Sequence, residues 1–216
     1  MELSALILQL MAGFGDTIKI FCLTLLFSLP LGLIVAFGRM SKNIILKNIV
    51  RIYISIMRGT PLMLQLMVVF YGPYFIFDVK ITNEYRFIAV IIGFVLNYAA
   101  YFAEIYRGGI ESIPVGQYEA AKVLGYSKIQ TFFKIIFPQV IKRILPSVTN
   151  EVITLVKDTS LAYVIGQTEM FTIARAHASR LSNMIPYIAA GVFYYIFNFV
   201  VAMGMERTEK KLSYYK

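Results

Sequence analysis

Residues 113–138 read Ile-Pro-Val-Gly-Gln-Tyr-Glu-Ala-Ala-Lys-Val-Leu-Gly-Tyr-Ser-Lys-Ile-Gln-Thr-Phe-Phe-Lys-Ile-Ile-Phe-Pro. The opening Ile113-Pro114-Val115-Gly116-Gln117 is a turn, and Gln117 to Leu124 is built of good helix formers. Gly125 follows, where a left-handed C-terminal cap needs a residue without a Cβ. Ser127-Lys128-Ile129-Gln130 has the form of a capping box that opens a second helix, and Pro138 is expected to end it. The reading is two short helices joined at Gly125. So short a helix gains little from propensity alone and needs a surface to pack on.

The flanks of this stretch are hydrophobic. Ile20 to Gly38, Gly59 to Phe77, Phe87 to Ala103 and Leu181 to Met205 are uncharged runs of membrane-spanning length. Ile144 to Thr168 is long enough too, although Glu151, Lys157 and Asp158 interrupt it. With their edges, the spans are expected at 16–38, 59–77, 86–106, 144–168 and 182–205, with a cytoplasmic loop over 107–143. The expectation is therefore an all-α membrane protein of five transmembrane helices, one domain over 1–216. Pro30 and Gly32 interrupt the first span, and Thr60-Pro61 reads as an N-cap followed by proline in the first helical turn.

Composition agrees. Of 216 residues, 58% are hydrophobic and only 15% charged, with a mean hydropathy of +0.69, which leaves no room for a large soluble domain. The net charge of +9 is explained by position. Fifteen of the 21 basic residues fall in the loops after spans one and three and in the C-terminal tail, against four in the opposite loops. The excess of Lys and Arg on the inside places the N-terminus outside and the tail in the cytoplasm, so nucleic acid is not needed to account for it. The first 18 residues carry no Lys or Arg, so the apolar N-terminal stretch is expected to be retained rather than cleaved. One cysteine, Cys22, and one histidine, His177, exclude an internal disulfide and a Cys/His metal cluster.

Glu119-Ala120-Ala121, three residues, Gly125, nine residues, Ile135 and then Pro138 resembles the loop signature of ABC importer membrane subunits; Phe137 stands where the family pattern has Leu. Arg58-Gly59-Thr60-Pro61-Leu62, Ala103-Glu104-Ile105-Tyr106-Arg107-Gly108-Gly109-Ile110 and Lys157-Asp158-Thr159-Ser160-Leu161 resemble the branch that transports histidine, arginine, glutamine and similar substrates. The resemblance implies a type I importer fold in a bacterial cytoplasmic membrane, with two permease subunits lining one pathway. It also implies ATP-binding cassette ATPases beneath and an external solute-binding protein above. Gln117, Glu119, Ala120, Ala121, Leu124 and Gly125 would form the coupling helix, between spans three and four, that docks on the ATPase. The chain has no phosphate-binding loop, so ATP and Mg are expected on that partner, and the chain is expected to be no enzyme and to hold no cofactor or metal.

Charges inside spans cost about 2.5–3.5 kcal/mol each at a helix centre, so they should face protein or water. Glu151 and Asp158 are seven apart on one face of span four, as Asn97 and Glu104 are on span three. Counting along the two helices puts Asn97 and Asp158 about 15 Å from the outer surface, near the midplane. Asn97, Tyr98, Glu151 and Asp158 are the candidate ligands for a polar amino acid, a basic one included, with Asn97 offering its amide to the α-carboxylate. The structural alternative is a Lys157–Asp158 network and a Glu151 bonded to a neighbouring helix. A small secondary transporter or channel subunit, not driven by ATP, would share the spans and buried charges. It would not need the Glu-Ala-Ala loop.

Overall fold

The computed structural model describes residues 3–212. Its longest helix is α1 (Leu3–Arg39), 37 residues, or about 55 Å at 1.5 Å per residue. It starts well before the expected residue 16 because Leu6 and Leu10 are buried against Met170, Ala174 and Ala190. Pro30 is held inside the helix. Here α1 lies on α4 (Asn83–Glu111) with little between the backbones. Ala36, Ala99, Ala100 and Ala103 are fully buried, and a Cβ on Gly32 would stand 2.8 Å from the Cβ of Phe102. Small residues let two membrane helices approach this closely.

The basic stretch after span one, read as a loop, contains a helix, α2 (Ile44–Gly59). Asn43 caps it, its side chain accepting from the backbone N–H groups of Ile45 and Leu46. The helix has three faces. Ile54 packs with Val50, Tyr53 and Met57 near α1 and α4, Lys47 and Arg51 are exposed, and Ile45, Ile49, Ile52 and Ile56 form an exposed apolar stripe. Its charges and its short length hid it among the topology-setting loops. From it the chain turns by 112° into α3 (Leu62–Phe77). Thr60 is not the N-cap of α3. Its hydroxyl donates back to the Ile56 carbonyl at 2.8 Å, and Pro61 takes the cap position.

α4 is the centre of the core. Phe94, Tyr98 and Phe102 are buried against Ile20 and Phe21 of α1, Leu66 and Phe70 of α3, and Val152, Leu155 and Val156 of α7 (Phe137–Asp158). Between α4 and α7 stands α5 (Val115–Val123), closed by a Schellman turn: Tyr126 N–H donates to the Ala121 carbonyl, Gly125 N–H to Lys122, and Gly125 has φ +79°. The capping box of Ser127 and Gln130 opens α6 (Lys128–Thr131) as expected. Pro138 does not end that helix. A π turn over Phe132–Ile136, in which Phe137 N–H donates to the Phe132 carbonyl, leads into α7, and Pro138 falls in the first turn of α7, where a missing N–H costs little.

Span four is not a single helix to Thr168. α7 stops at Asp158, a 3-10 turn runs over Thr159–Ile165, and Gly166 reverses the chain with φ +71°. The connection that follows forms α8 (Met170–Leu181), and α9 (Ile185–Leu212) is the last described helix, extending beyond the expected end at 205. Among the described residues α1, α4 and α9 are long and apolar enough to cross a membrane, and α2 with α3 forms a bent fourth candidate. α7 falls short because it carries Lys142, Arg143, Glu151, Lys157 and Asp158.

Candidate functional site

Two antiparallel helices present matched polar stripes. On α4 and its C-cap, Asn97, Tyr101, Glu104, Gly108 and Ser112 recur every three or four residues; on α7, Asp158, Thr154, Glu151, Ser147 and Arg143 do the same. Near the upper ends of both stripes lies a cavity of about 400 Å³. Asn97, Tyr98, Tyr101, Glu151, Thr154 and Asp158 line it, with Thr60, Pro61 and Leu62 of the α2–α3 corner and Leu161 beyond α7. All four residues singled out for substrate thus meet around one space. The corner and the Lys157–Leu161 motif meet there too.

Their environments differ. Asn97 is 5% exposed and its amide nitrogen donates to the Met57 carbonyl at 3.0 Å and to Gln65 Oε1 at 2.9 Å. Gln65 in turn donates to Met57 and to the Thr60 carbonyl and hydroxyl. The two amides therefore hold the α2–α3 corner, and both hydrogens of Asn97, expected to meet a carboxylate, are used there. Tyr98 donates its hydroxyl to Asp158 Oδ2 at 2.8 Å. Asp158 therefore leans on α4 rather than on Lys157, whose side chain is exposed. Glu151 makes neither a hydrogen bond nor an ion pair to any described residue.

Below the cavity a charge cluster ties three helices. Arg107 grips Glu104 through Nε at 3.1 Å and Nη2 at 2.6 Å, and pairs with Glu111 at 2.6 Å. Arg39, at the end of α1, and Arg58, at the end of α2, stand at 3.8 and 3.9 Å from the same Glu104 carboxylate. A second cavity of about 480 Å³ opens here, lined by Glu104, Gly108, Ser112, Arg143 and Ser147 among others.

Two features of the connection between α7 and α9 were not legible in the sequence. Glu169 is fully buried and caps α8, accepting from the N–H groups of Phe171 and Thr172, both at 2.6 Å, and from the hydroxyls of Thr172 and Tyr194. A glutamate is an uncommon N-cap, so sequence gave little signal. His177 sits on α8, 8% exposed, and hydrogen-bonds Gln9 of α1.

At the other end α5 is laid open. Of its residues only Ala121 is buried; Gln117, Glu119 and Ala120 are exposed, as are Val115, Val123 and the capping Leu124, at 69%, 87% and 72%. Gln117 meets Gln139 at 3.3 Å.

Residues 28–214 match the family described as the binding-protein-dependent transport system inner membrane component. The chain belongs to this family. It is similar to the octopine transport system permease protein OccM of Rhizobium radiobacter, 40% identical over 82% of this chain and 76% of that one. It is also similar to the L-cystine transport system permease protein TcyB of Bacillus subtilis (strain 168), 36% identical over 95% and 87%. A solved structure, described as an amino acid ABC transporter with histidines, superposes with a TM-score of 0.84 at 30% identity, covering 94% of each chain. The fold is thus that of the membrane subunit of an ABC importer, all-helical, and this permease is a subunit of a binding-protein-dependent system. The reading as a secondary transporter or channel subunit falls away.

Proposed function

We propose that this permease moves a polar amino acid, basic ones included, across the bacterial cytoplasmic membrane, holding it in the cavity between α4 and α7 on the way. The observation that carries the reading is the convergence of Tyr98, Glu151 and Asp158 on one half-enclosed space, with Glu151 making no hydrogen bond or ion pair to any described residue. An unsatisfied carboxylate in a membrane wall is costly, and an incoming ammonium or guanidinium group offsets that cost. Asn97 acts as a brace for the corner that walls the cavity. The names of the relatives support the substrate class: they transport octopine and L-cystine, both amino-acid compounds.

In this reading all of 1–216 is one transmembrane domain of five spans. α2 and α3 share the second, and α7 forms the fourth through company rather than apolarity. The N-terminus is outside and the tail cytoplasmic. α5 is the coupling helix, its exposed Val115, Val123 and Leu124 seated in a cytosolic ATPase that binds ATP and Mg. A solute-binding protein delivers the substrate from outside, and a second, identical permease completes the pathway, a two-fold pair being the commonest closed assembly. Lipid covers the exposed apolar faces of α1, α3 and α9. Orientation is tested by single cysteines in a Cys22→Ala background. Lys128→Cys should react with a membrane-impermeant thiol reagent only after the membrane is opened, and Ser179→Cys in intact cells. The reverse pattern contradicts the arrangement.

A further inference from the structure

The cavity has a charge imbalance. Glu151 and Asp158 suit the cationic end of an amino acid and repel its α-carboxylate, yet no lining residue among those described is cationic. Asn97, the neutral donor nearest in kind, has spent both hydrogens on Met57 and Gln65. The Thr60 hydroxyl donates to Ile56.

Arg58 is not among the lining residues but neighbours two of them, Thr60 and Tyr101. It lies two residues before Thr60 in the corner that forms the cavity wall. Its guanidinium carbon is 5.2 Å from the ring centroid of Tyr101, a lining residue. A guanidinium over an aromatic face keeps its N–H edges free for a carboxylate. Its partner Glu104 is already gripped by Arg107 at 2.6 Å, which leaves Arg58 the loose contact at 3.9 Å, with its side chain 44% exposed. Arg58 also lies close enough to Glu151 for the two charges to interact.

We propose that Arg58 binds the α-carboxylate of the transported amino acid at the floor of the cavity, while Glu151 and Asp158 take the cationic end. The inference rests on the reading of the cavity as an amino-acid site. It makes Arg58 the residue that distinguishes an amino acid from an amine of the same side chain. It also links occupancy to the Glu104 cluster, because an Arg58 drawn to the substrate leaves Glu104 to Arg39 and Arg107.

The test is competition against radiolabelled L-arginine on the purified permease–ATPase complex without binding protein, using L-arginine and its carboxamide, L-argininamide. The wild type should prefer the acid by about tenfold or more, as a charge-assisted pair predicts. Arg58→Gln should bring the ratio close to one while leaving the affinity for the amide within about twofold, and Arg58→Lys should restore part of the preference. An undiminished preference in Arg58→Gln overturns the proposal, as does a wild type that binds both ligands equally. If Arg58→Gln binds neither ligand, the lysine variant decides: recovered preference for the acid supports the proposal, and recovery without preference or no recovery overturns it. Glu151→Gln separates the two readings. A wild-type preference unaltered by Arg58→Gln, alongside weaker binding of both cationic ligands to Glu151→Gln, discards Arg58 and keeps the cavity. Equal binding to Glu151→Gln and wild type discards the cavity as well.

Discussion

Reversing one charge on α5, Glu119→Lys, is expected to cut ATP-driven uptake by about tenfold or more while the permease stays folded in the membrane. The residue is exposed, and α5 buries only Ala121 within the chain, so the change leaves the permease core untouched. In the proposed assembly the effect comes from the ATPase partner. A helix that leaves Val123 and Leu124 exposed presents apolar surface worth about 1.5–3 kcal/mol per side chain once covered. A like charge set against a charged rim, or a charge left in a closed contact, costs several kcal/mol. Leu124→Asp should act in the same direction by removing an apolar anchor. The measurement is twofold: the amount of ATPase that co-purifies with each variant, and the ATP hydrolysis stimulated by loaded binding protein. Normal values of both in Glu119→Lys and Leu124→Asp would remove α5 from the contact.

The second large effect concerns charge selectivity. Glu151→Gln is expected to lower uptake of a cationic amino acid about tenfold and that of a neutral one by no more than about twofold, at matched protein level. Two unit charges 4 Å apart attract by about 4 kcal/mol at an effective dielectric of 20, and about 1.4 kcal/mol already gives a factor of ten. Glutamine keeps the shape and one acceptor, so a packing defect would lower both substrates together. Equal losses, or none, would take Glu151 out of the site. Asp158→Asn is a poorer probe because Tyr98 donates to that carboxylate and would lose part of its bond.

The sequence carries the two caps of the 107–143 connection because they are local. Gly125 at a positive φ and the Ser127–Gln130 box are each specified by a few adjacent residues. The seven-residue spacings of Asn97 with Glu104 and of Glu151 with Asp158 survive for the same reason: helical periodicity alone places each pair on one face. What was hidden depends on non-local contacts. α2 looks like a basic loop until Ile54 and Tyr53 are seen against α4, where the Tyr53 hydroxyl donates to the Leu96 carbonyl at 2.6 Å. Pro138 reads as a stop, and only the π turn before it lets the helix run on. Asn97 reads as a ligand because its partners, Met57 and Gln65, are 40 and 32 residues away. Arg58 reads as one more topology-setting charge until the corner brings it beside Tyr101.

The decisive measurement is uptake of a labelled polar amino acid into proteoliposomes. They hold the purified permease with its ATPase, receive loaded binding protein from outside, and have no ion gradient. The account predicts accumulation above the external concentration only when Mg-ATP is supplied on the ATPase side. It also predicts collapse to the leak rate with a non-hydrolysable nucleotide. Uptake that proceeds without ATP, or that follows an imposed proton or sodium gradient instead, would contradict it.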